Sequence, residues 1–340
     1  LAIQANYYSV SLQIQRDSAS EALRVLCTKR SRLWKLGHQV MVGDRVVVEE
    51  VDWNGRRGVI TDVLPRKTQL NRPPVANADQ VLLMFALAEP DLDPFQVTEF
   101  LTVIAATGLE VHLCLNKADL VPAQQQQAWC DRIQAWGYHL SLISLHTHYG
   151  LDTLQSYLQQ KITVVSGPSG VGKSSLINYL VPTVNQTVGH VSGKLARGRH
   201  TTRHVELFQL PGQGFLADSP GFNRATLDCS PHELALLFPE AQQRLRQGSC
   251  RYHNCLHRDE PGCVVRGDWE RYSYYLTLLD GVIARQEQLN QTSAPESSAK
   301  VKTKLGGKRC YEPKLAAKKY RRTSRKASQQ ALQKFYQDLD

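Results

Sequence analysis

Eight consecutive residues constrain this chain more than any others: Gly167-Pro168-Ser169-Gly170-Val171-Gly172-Lys173-Ser174 fit the pattern GxxxxGK[ST]. An apolar run at residues 162–166 precedes them, and a helix-like stretch at 175–180, opening on Ser175, follows. Motif and context together demand a strand, a glycine-rich turn and a helix. Glycine lets the backbone curl until its NH groups point inward at a polyphosphate, and the helix N-terminus adds a favourable dipole. Lys173 reaches the β- and γ-phosphates as a point charge, and the Ser174 hydroxyl is a Mg2+ ligand. Residues 167–175 therefore read as the wall that binds the phosphates of a nucleoside triphosphate.

A turn of this kind needs a parallel sheet to hold it. Apolar stretches at residues 81–88, 111–115, 140–144, 162–166 and 215–218 alternate with helical stretches at 94–106 and 123–136, the pattern of an α/β sheet covered by helices. Residues 1–70 instead carry short β-rich runs at 5–12, 24–28, 45–51 and 58–63, with turn signals at Gly43-Asp44 and Asn54-Gly55. They predict a small all-β barrel. Residues 66–77 contain Arg72, Pro73 and Pro74, lack a sustained period and read as a linker. Residues 230–290 read as mostly helical around a Cys/His cluster, and 291–340 as a basic flexible tail with a short helix at 328–339. The expected fold class is multidomain: an N-terminal OB-like β-barrel at 1–70, a central α/β domain at 71–229, a mostly helical metal-binding domain at 230–290, and the tail.

The composition supports this layout. With 340 residues, 42% of them hydrophobic, the chain can build two or three cores. Its longest apolar run, residues 81–88, is far short of the roughly 18 a membrane-spanning helix needs, so no membrane partner is expected. Five cysteines, Cys27, Cys114, Cys130, Cys229 and Cys310, are scattered singly, which is no disulfide framework. The chain opens on Leu1 with no signal-like layout, and a cytoplasmic monomer in a reducing compartment is expected. The net charge of +10 is local: residues 300–326 hold twelve bases and one acid, leaving 29 bases and 30 acids elsewhere. The polyanion-binding signal belongs to the tail.

Asn116-Lys117-Ala118-Asp119, at the end of the apolar run 111–115, chooses the base. The Asp119 carboxylate can accept hydrogen bonds from the ring NH and exocyclic amine of guanine, a donor pair adenine lacks; adenine would leave it unpaired. Asn116 would tie this loop to the phosphate loop, and the Lys117 stem would cover the base plane. Asp218-Ser219-Pro220-Gly221 ends the run 215–218 and suits a carboxylate holding Mg2+ through water, with the Gly221 NH facing the γ-phosphate. Between the motifs lies Arg197-Gly198-Arg199-His200-Thr201-Thr202, where Thr201 or Thr202 would complete the Mg2+ shell.

Cys250-x4-Cys255-x-His257-x5-Cys263 offers three thiolates and one imidazole, the donor set of a closed tetrahedral Zn2+ site. Four ligands leave no open position, so one structural zinc is expected, stabilising a segment poor in apolar residues. His253 is a substitute for His257, which is preferred.

The base-reading motif of a Ras-like GTPase follows its phosphate loop, whereas here residues 116–119 precede residues 167–174, so the domain is circularly permuted. With a β-barrel before it and a Cys/His cluster after it, the arrangement resembles the RsgA (YjeQ) family, from about residue 43 to about residue 280. Supporting stretches are Gly43-Asp44-Arg45-Val46, the phosphate loop, Gly198-Arg199-His200-Thr201-Thr202 and Asp218-Ser219-Pro220-Gly221-Phe222. The resemblance implies a second base-contacting loop at Ser144 and Leu145, where Leu145 replaces a smaller residue, and a His at position 200 in the loop before Thr201. It also implies a GTPase of the small ribosomal subunit, binding the subunit and its rRNA in a GTP-dependent manner and leaving after subunit-stimulated hydrolysis to GDP. Phe222 stands where Ras-like enzymes place a water-orienting Gln, so intrinsic hydrolysis should be slow. His200 is the candidate to orient that water; Arg199 or an external group is the alternative.

For RNA contact, Arg30, Arg32, Lys35, Arg56, Arg57 and Lys67 with Trp34 and Trp53 make a basic-aromatic mixture on the barrel that equally suits a solvated face. Two competing functions stand beside the GTPase: an RNA-binding module whose nucleotide site has negligible turnover, and a P-loop kinase or ATPase.

Overall fold

The computed structural model describes residues 1–4, 6–16, 19–35, 39–71, 73–182, 205–218, 227–293, 299–303 and 309–313. Residues 1–282 form one compact unit. Its first part is built from β1 (Ala2–Gln4), β2 (Tyr7–Arg16), β3 (Ala19–Lys29), α1 (Ser31–Lys35), β4 (Val46–Asp52) and β5 (Arg57–Val63). The strands pair in the order β1-β2-β3-β5-β4, antiparallel except for β3 beside β5, which is the Greek-key arrangement of an OB-like barrel. Val25, Cys27, Leu33, Val40 and Ile60 are its buried core, taken from alternate positions of β3, from α1 and the segment after it, and from β5.

The linker expected at 66–77 is a packed element. Residues Gln69–Asn71 (β6) and Pro74–Ala76 (β7) form a hairpin whose Leu70 and Val75 are buried in the main core, and Val75 bridges back to Val42. Its polar residues are engaged too. Arg66 donates to both Asp44 carboxylate oxygens, at 2.7 and 2.9 Å, and Asn77 donates to the Gly43 carbonyl at 3.0 Å. Prolines and polar residues mimic a linker in composition, whereas the pairing that buries Leu70 is nonlocal.

The central sheet follows: β8 (Gln80–Ala86), α2 (Pro94–Ala105), β9 (Glu110–Asn116), α3 (Ala123–Ala135), β10 (His139–Leu142), α4 (Leu151–Leu158), β11 (Ile162–Ser166), α5 (Lys173–Leu180), β12 (Glu206–Gln209) and β13 (Phe215–Asp218). The spatial order is β10-β9-β8-β11-β13-β12, parallel except for β12. Every residue of β8 is buried, because the strand is covered on both faces. Val81, Leu83 and Phe85 join Val97, Leu101 and Ile104 of α2 in one layer, while Leu82 and Met84 join Leu154 of α4 and Leu176 of α5 in the other. Neither α4 nor β12 was expected from the sequence, both being short. The antiparallel pair Ala2 and Glu206 joins β1 to β12, so barrel and central sheet are continuous.

Beyond the sheet, a 3-10 turn at Leu234–Leu237 leads to α6 (Pro239–Gln247), and α7 (Tyr272–Ser293) ends the region. Between α6 and α7 the chain is turns and loops, the interruption expected at the Cys/His cluster. Residues 299–303 (β14) and 309–313 (β15) pair as an antiparallel hairpin. The remainder of the tail, including Tyr320 and the helix expected at 328–339, lies outside the described residues. No helix among the described residues is long and apolar enough to cross a membrane.

The hairpin assignment makes a sharp prediction. Leu70→Ala should lower the unfolding free energy in urea by about 2–5 kcal/mol, the cost of truncating a buried leucine. A change within about 0.5 kcal/mol, typical of an exposed linker, would contradict it.

Candidate nucleotide site and metal centre

In an open α/β sheet, ligands bind outside the carboxyl ends of the strands. Four loops meet at that edge here: residues 116–119 after β9, 144–145 after β10, 167–174 after β11, and Asp218 at the end of β13. The inverted chain order does not matter to this geometry, since each loop is placed by its own strand.

The buried Asn116 side chain joins three of these segments. Its amide Nδ2 donates to the Val171 carbonyl of the phosphate loop at 2.9 Å, and its Oδ1 accepts from the Leu145 NH at 3.3 Å. The contact leaves no room for a side chain at Gly172, where a Cβ would meet Asn116 Nδ2 at 2.4 Å, and φ is +101°. Gly167 is equally confined: its φ is +137°, and a Cβ would stand 2.0 Å from the Met84 carbonyl oxygen of β8. Residues 167–174 are thus seated on β8 at one end and on the loop at 116–119 at the other.

Ser144 Oγ donates to Asp119 Oδ1 at 2.5 Å and in turn accepts from the Thr147 NH at 3.0 Å, so the exposed Asp119 carboxylate is aimed by a buried hydroxyl. Lys117 adopts a left-handed φ of 61° and its ammonium donates to the Glu89 carbonyl, in the segment that follows β8. The Leu145 side chain lies over Gly172, its Cδ1 3.3 Å from where a Cβ would be. Leucine at that position therefore fills the seam between the phosphate and base loops.

Lys173 opens α5 and points its ammonium back into the loop, donating to the carbonyls of Gly167 at 2.8 Å and Pro168 at 2.5 Å. Burial pushes its pKa down, and the Asp218 carboxylate partly opposes that shift. Pairing of Val165 with Asp218 brings this carboxylate beside the phosphate loop. Ser174 and Ser175 stand in the first turn of α5, while Ser169 and Gly170 are exposed at the lip. This donor set fits a Mg2+ ion held by the Ser174 hydroxyl and, through water, Asp218. His200, Thr201, Thr202 and Gly221, with Arg199 and Phe222, lie outside the described residues.

The metal cluster assembles in the loops between α6 and α7. Ligand atoms of Cys250, Cys255, His257 and Cys263 all lie within 4.8 Å of one another. Cys250 Sγ is 3.9 Å from Cys263 Sγ and 3.6 Å from His257 Nδ1, and His257 Nδ1 is 3.3 Å from Cys263 Sγ. A tetrahedral zinc with ordinary Zn–S and Zn–N bonds has edges of about 3.8 and about 3.6 Å, so the cage fits. His253 is exposed and outside the cluster, which leaves His257 as the imidazole. Burial holds His257 below its ordinary pKa, in the neutral form that ligates, and pushes the Cys255 thiol up to about 12. The Arg266 NH donates to Cys263 Sγ at 3.3 Å, and Tyr275 and Tyr272 donate to the Leu256 and His257 carbonyls at 2.6 and 2.9 Å.

Sequence reasoning missed three parts of this site: the Glu89 carbonyl that takes Lys117, the Ser144 to Asp119 bond as an aiming device, and the tyrosines behind the metal loop. A carbonyl carries no sequence signal at all. The two tyrosines, Tyr272 and Tyr275, read simply as apolar positions of a helix.

The sequence profile described as RsgA GTPase matches residues 63–228. The small ribosomal subunit biogenesis GTPase RsgA of Trichormus variabilis is 57% identical over 355 residues, covering 99% of this chain and 96% of that protein. The small ribosomal subunit biogenesis GTPase RsgA 1, mitochondrial, of Arabidopsis thaliana is 40% identical, covering 95% and 80% respectively. Among solved structures, YjeQ from Thermotoga maritima matches with a TM-score of 0.67 at 29% identity, over 82% of this chain and 95% of that one. YloQ, a circularly permuted GTPase, matches with a TM-score of 0.67 at 28% identity, over 83% and 93%.

Two outcomes are expected. Gly172→Ala should fold, with an unchanged far-ultraviolet spectrum, yet lose at least about tenfold in GDP affinity, because its methyl displaces the Asn116 amide and forfeits a buried hydrogen bond; wild-type affinity would contradict the contact. Elemental analysis should find one zinc per chain, and Cys263→Ser should retain far less and melt at lower temperature.

Proposed function

The chain belongs to the RsgA GTPase family, and on that premise we propose how its residues carry out the family's reaction. It is a GTP hydrolase of small ribosomal subunit biogenesis, a circularly permuted GTPase with one zinc site and Mg2+ accompanying GTP. Its partners are GTP, GDP and the small subunit.

The observation that carries the site assignment is the hydrogen bond from Asn116 to the Val171 carbonyl, which ties residues 116–119 to the phosphate loop and supports reading the two loops as walls of one nucleotide site. Asp119 reads the guanine ring NH and exocyclic amine, and Ser144 keeps its carboxylate aimed. The backbone of residues 167–173 cradles the phosphates, with Lys173 turning from the loop carbonyls toward the β- and γ-oxygens. Ser174 and Asp218, with Thr201 or Thr202, would hold the Mg2+, which would supply positive charge to stabilise the transferring group. His200 orients the attacking water within the loop preceding those threonines. Phe222 cannot do so, so turnover of the free enzyme is slow and rises on the small subunit.

We assign docking on rRNA to two surfaces, the barrel and the basic tail, with the chain divided as 1–70, 71–229, 230–290 and 291–340. On the barrel, Arg30 is paired with Glu49 and Glu50 at 3.3 and 2.7 Å, and so contributes little free charge. Exposed Trp53, Arg56 and Arg57 at the β4–β5 turn, together with Arg32 and Lys67, support a phosphate and stacking contact. Trp34 and Lys35 side chains lie outside what is described. The basic residues 300–326 add a salt-sensitive term. GTP-bound protein binds the subunit, hydrolysis follows, and the GDP form leaves; the protein acts as a cytoplasmic monomer.

Phosphate release by the protein with purified small subunits should exceed the sum of the two measured alone. No excess would favour the alternative, an RNA-binding module with an inert nucleotide site. Asp119→Asn should move base preference from guanine toward xanthine nucleotides, because the amide presents a donor where the carboxylate accepted; an unchanged preference would remove Asp119 from base recognition.

A further inference from the structure

A buried charge lies at the seam between the central sheet and the metal-binding region. Arg271 precedes α7 and is fully buried. Its Nε and Nη2 donate to the two carboxylate oxygens of Glu240 in α6, at 2.8 and 2.5 Å. The guanidinium is sandwiched by aromatic rings, 4.9 Å from the centroid of Trp136, 5.3 Å from Tyr138 and 5.1 Å from Phe238. Beside it, Glu270 accepts from the Trp136 indole NH at 2.8 Å and pairs with Arg132. Simple adhesion needs no such arrangement, since an apolar side chain would fill the space without the desolvation cost. A planar fork held by a carboxylate and stacked on rings does something an apolar contact cannot, which is to fix an orientation.

What it orients is the α3–β10 unit, because Trp136 and Tyr138 flank the turn between that helix and that strand. This unit is the covalent connection between the two base-reading loops: α3 departs just after Asp119, and β10 arrives just before Ser144. At the nucleotide end the loops are tied to each other by Ala118 NH to the Ile143 carbonyl at 3.1 Å and by Ser144 to Asp119. The other end is anchored at its turn, where Trp136 is buried in the main core and Tyr138 packs against that core. β10 is an edge strand paired over four residues with β9 alone, and Ile133 is the one fully buried residue within α3. Behind Arg271 the packing runs on through Phe238, which meets Trp269 and Tyr275 at 5.5 Å, to the tyrosine bonds on the metal loop.

We propose that Arg271, clamped by Glu240, is a positioning residue for guanine recognition: it pins the Trp136–Tyr138 turn and so sets the spacing of Asp119 and Ser144. The metal-binding region is thereby part of the base-selecting apparatus, and zinc-stabilised folding and guanine selectivity are linked through one side chain. The inference rests on the reading that Asp119 recognises guanine.

The test compares GDP with IDP, which lacks the exocyclic amine, and with pyrophosphate, which has no base, by competition on the full chain. Wild type should prefer GDP over IDP by about 10- to 100-fold, the worth of one hydrogen bond to a carboxylate. Arg271→Lys keeps the charge but loses the fork. The double variant Arg271→Met with Glu240→Leu removes the pair together and leaves no buried unpaired charge, so it keeps the test alive should the lysine variant fail to fold. In each folded variant the GDP-over-IDP ratio should fall at least about threefold while pyrophosphate affinity stays at the wild-type value, a selective loss on the scale of part of that hydrogen bond. A preserved ratio would overturn the proposal, as would an equal loss for all three ligands, which would mark mere structural support. If wild type itself does not distinguish GDP from IDP, the guanine reading of Asp119 falls, and this inference with it.

Discussion

The proposed nucleotide site hangs on one carboxamide. Asn116 is buried, donates to the phosphate loop and accepts from the second base loop, so a single planar group sets the relation of three segments. Its amide is dipolar in the sense the site requires, with a donor facing a carbonyl and an acceptor facing an NH. The contact dictates residue choice around it: glycine at position 172, because any Cβ would strike the amide, and room beside it that Leu145 fills. Removing either hydrogen bond would leave a buried polar group unpaired, which costs more than the bond itself contributes.

Everything else in the central unit keeps that amide in place. β9 delivers Asn116 from a strand whose last five residues are buried, β8 supplies a two-faced apolar wall, and β11 ends against the Met84 carbonyl that confines Gly167. Because each functional loop is the C-terminal end of its own parallel strand, cutting and rejoining the chain elsewhere leaves the cavity unchanged. What permutation changes is the sequel. The chain leaves β13 toward the metal-binding region, and that region returns to grip α3 and β10 through Arg271. The described contacts therefore connect it to the base side of the pocket as well as to the strand that carries Asp218.

Much of this was legible in the sequence where a local rule governs. The strands at Ile162–Ser166 and Phe215–Asp218 were bounded to the residue, because short, mostly apolar runs end abruptly at glycine and aspartate turns. The cysteine spacing selected the four-ligand cage, and its geometry separates His257 from His253. Nonlocal pairings were not legible. The β6–β7 hairpin carries linker-like composition, the antiparallel contact of β1 with β12 spans some two hundred residues, and Arg271 in isolation looks like any surface arginine. Short elements such as β12 and α4 lack the length over which periodicity can be distinguished from chance.

The most direct measurement of the central claim is a crystal structure of the protein with GDP and Mg2+. One nucleotide should bridge the two motifs, with the guanine ring NH and exocyclic amine on the Asp119 carboxylate, the diphosphate inside residues 167–174, and the Asn116 amide still on the Val171 carbonyl. A diphosphate in the loop with its base directed away from Asp119 would contradict the account.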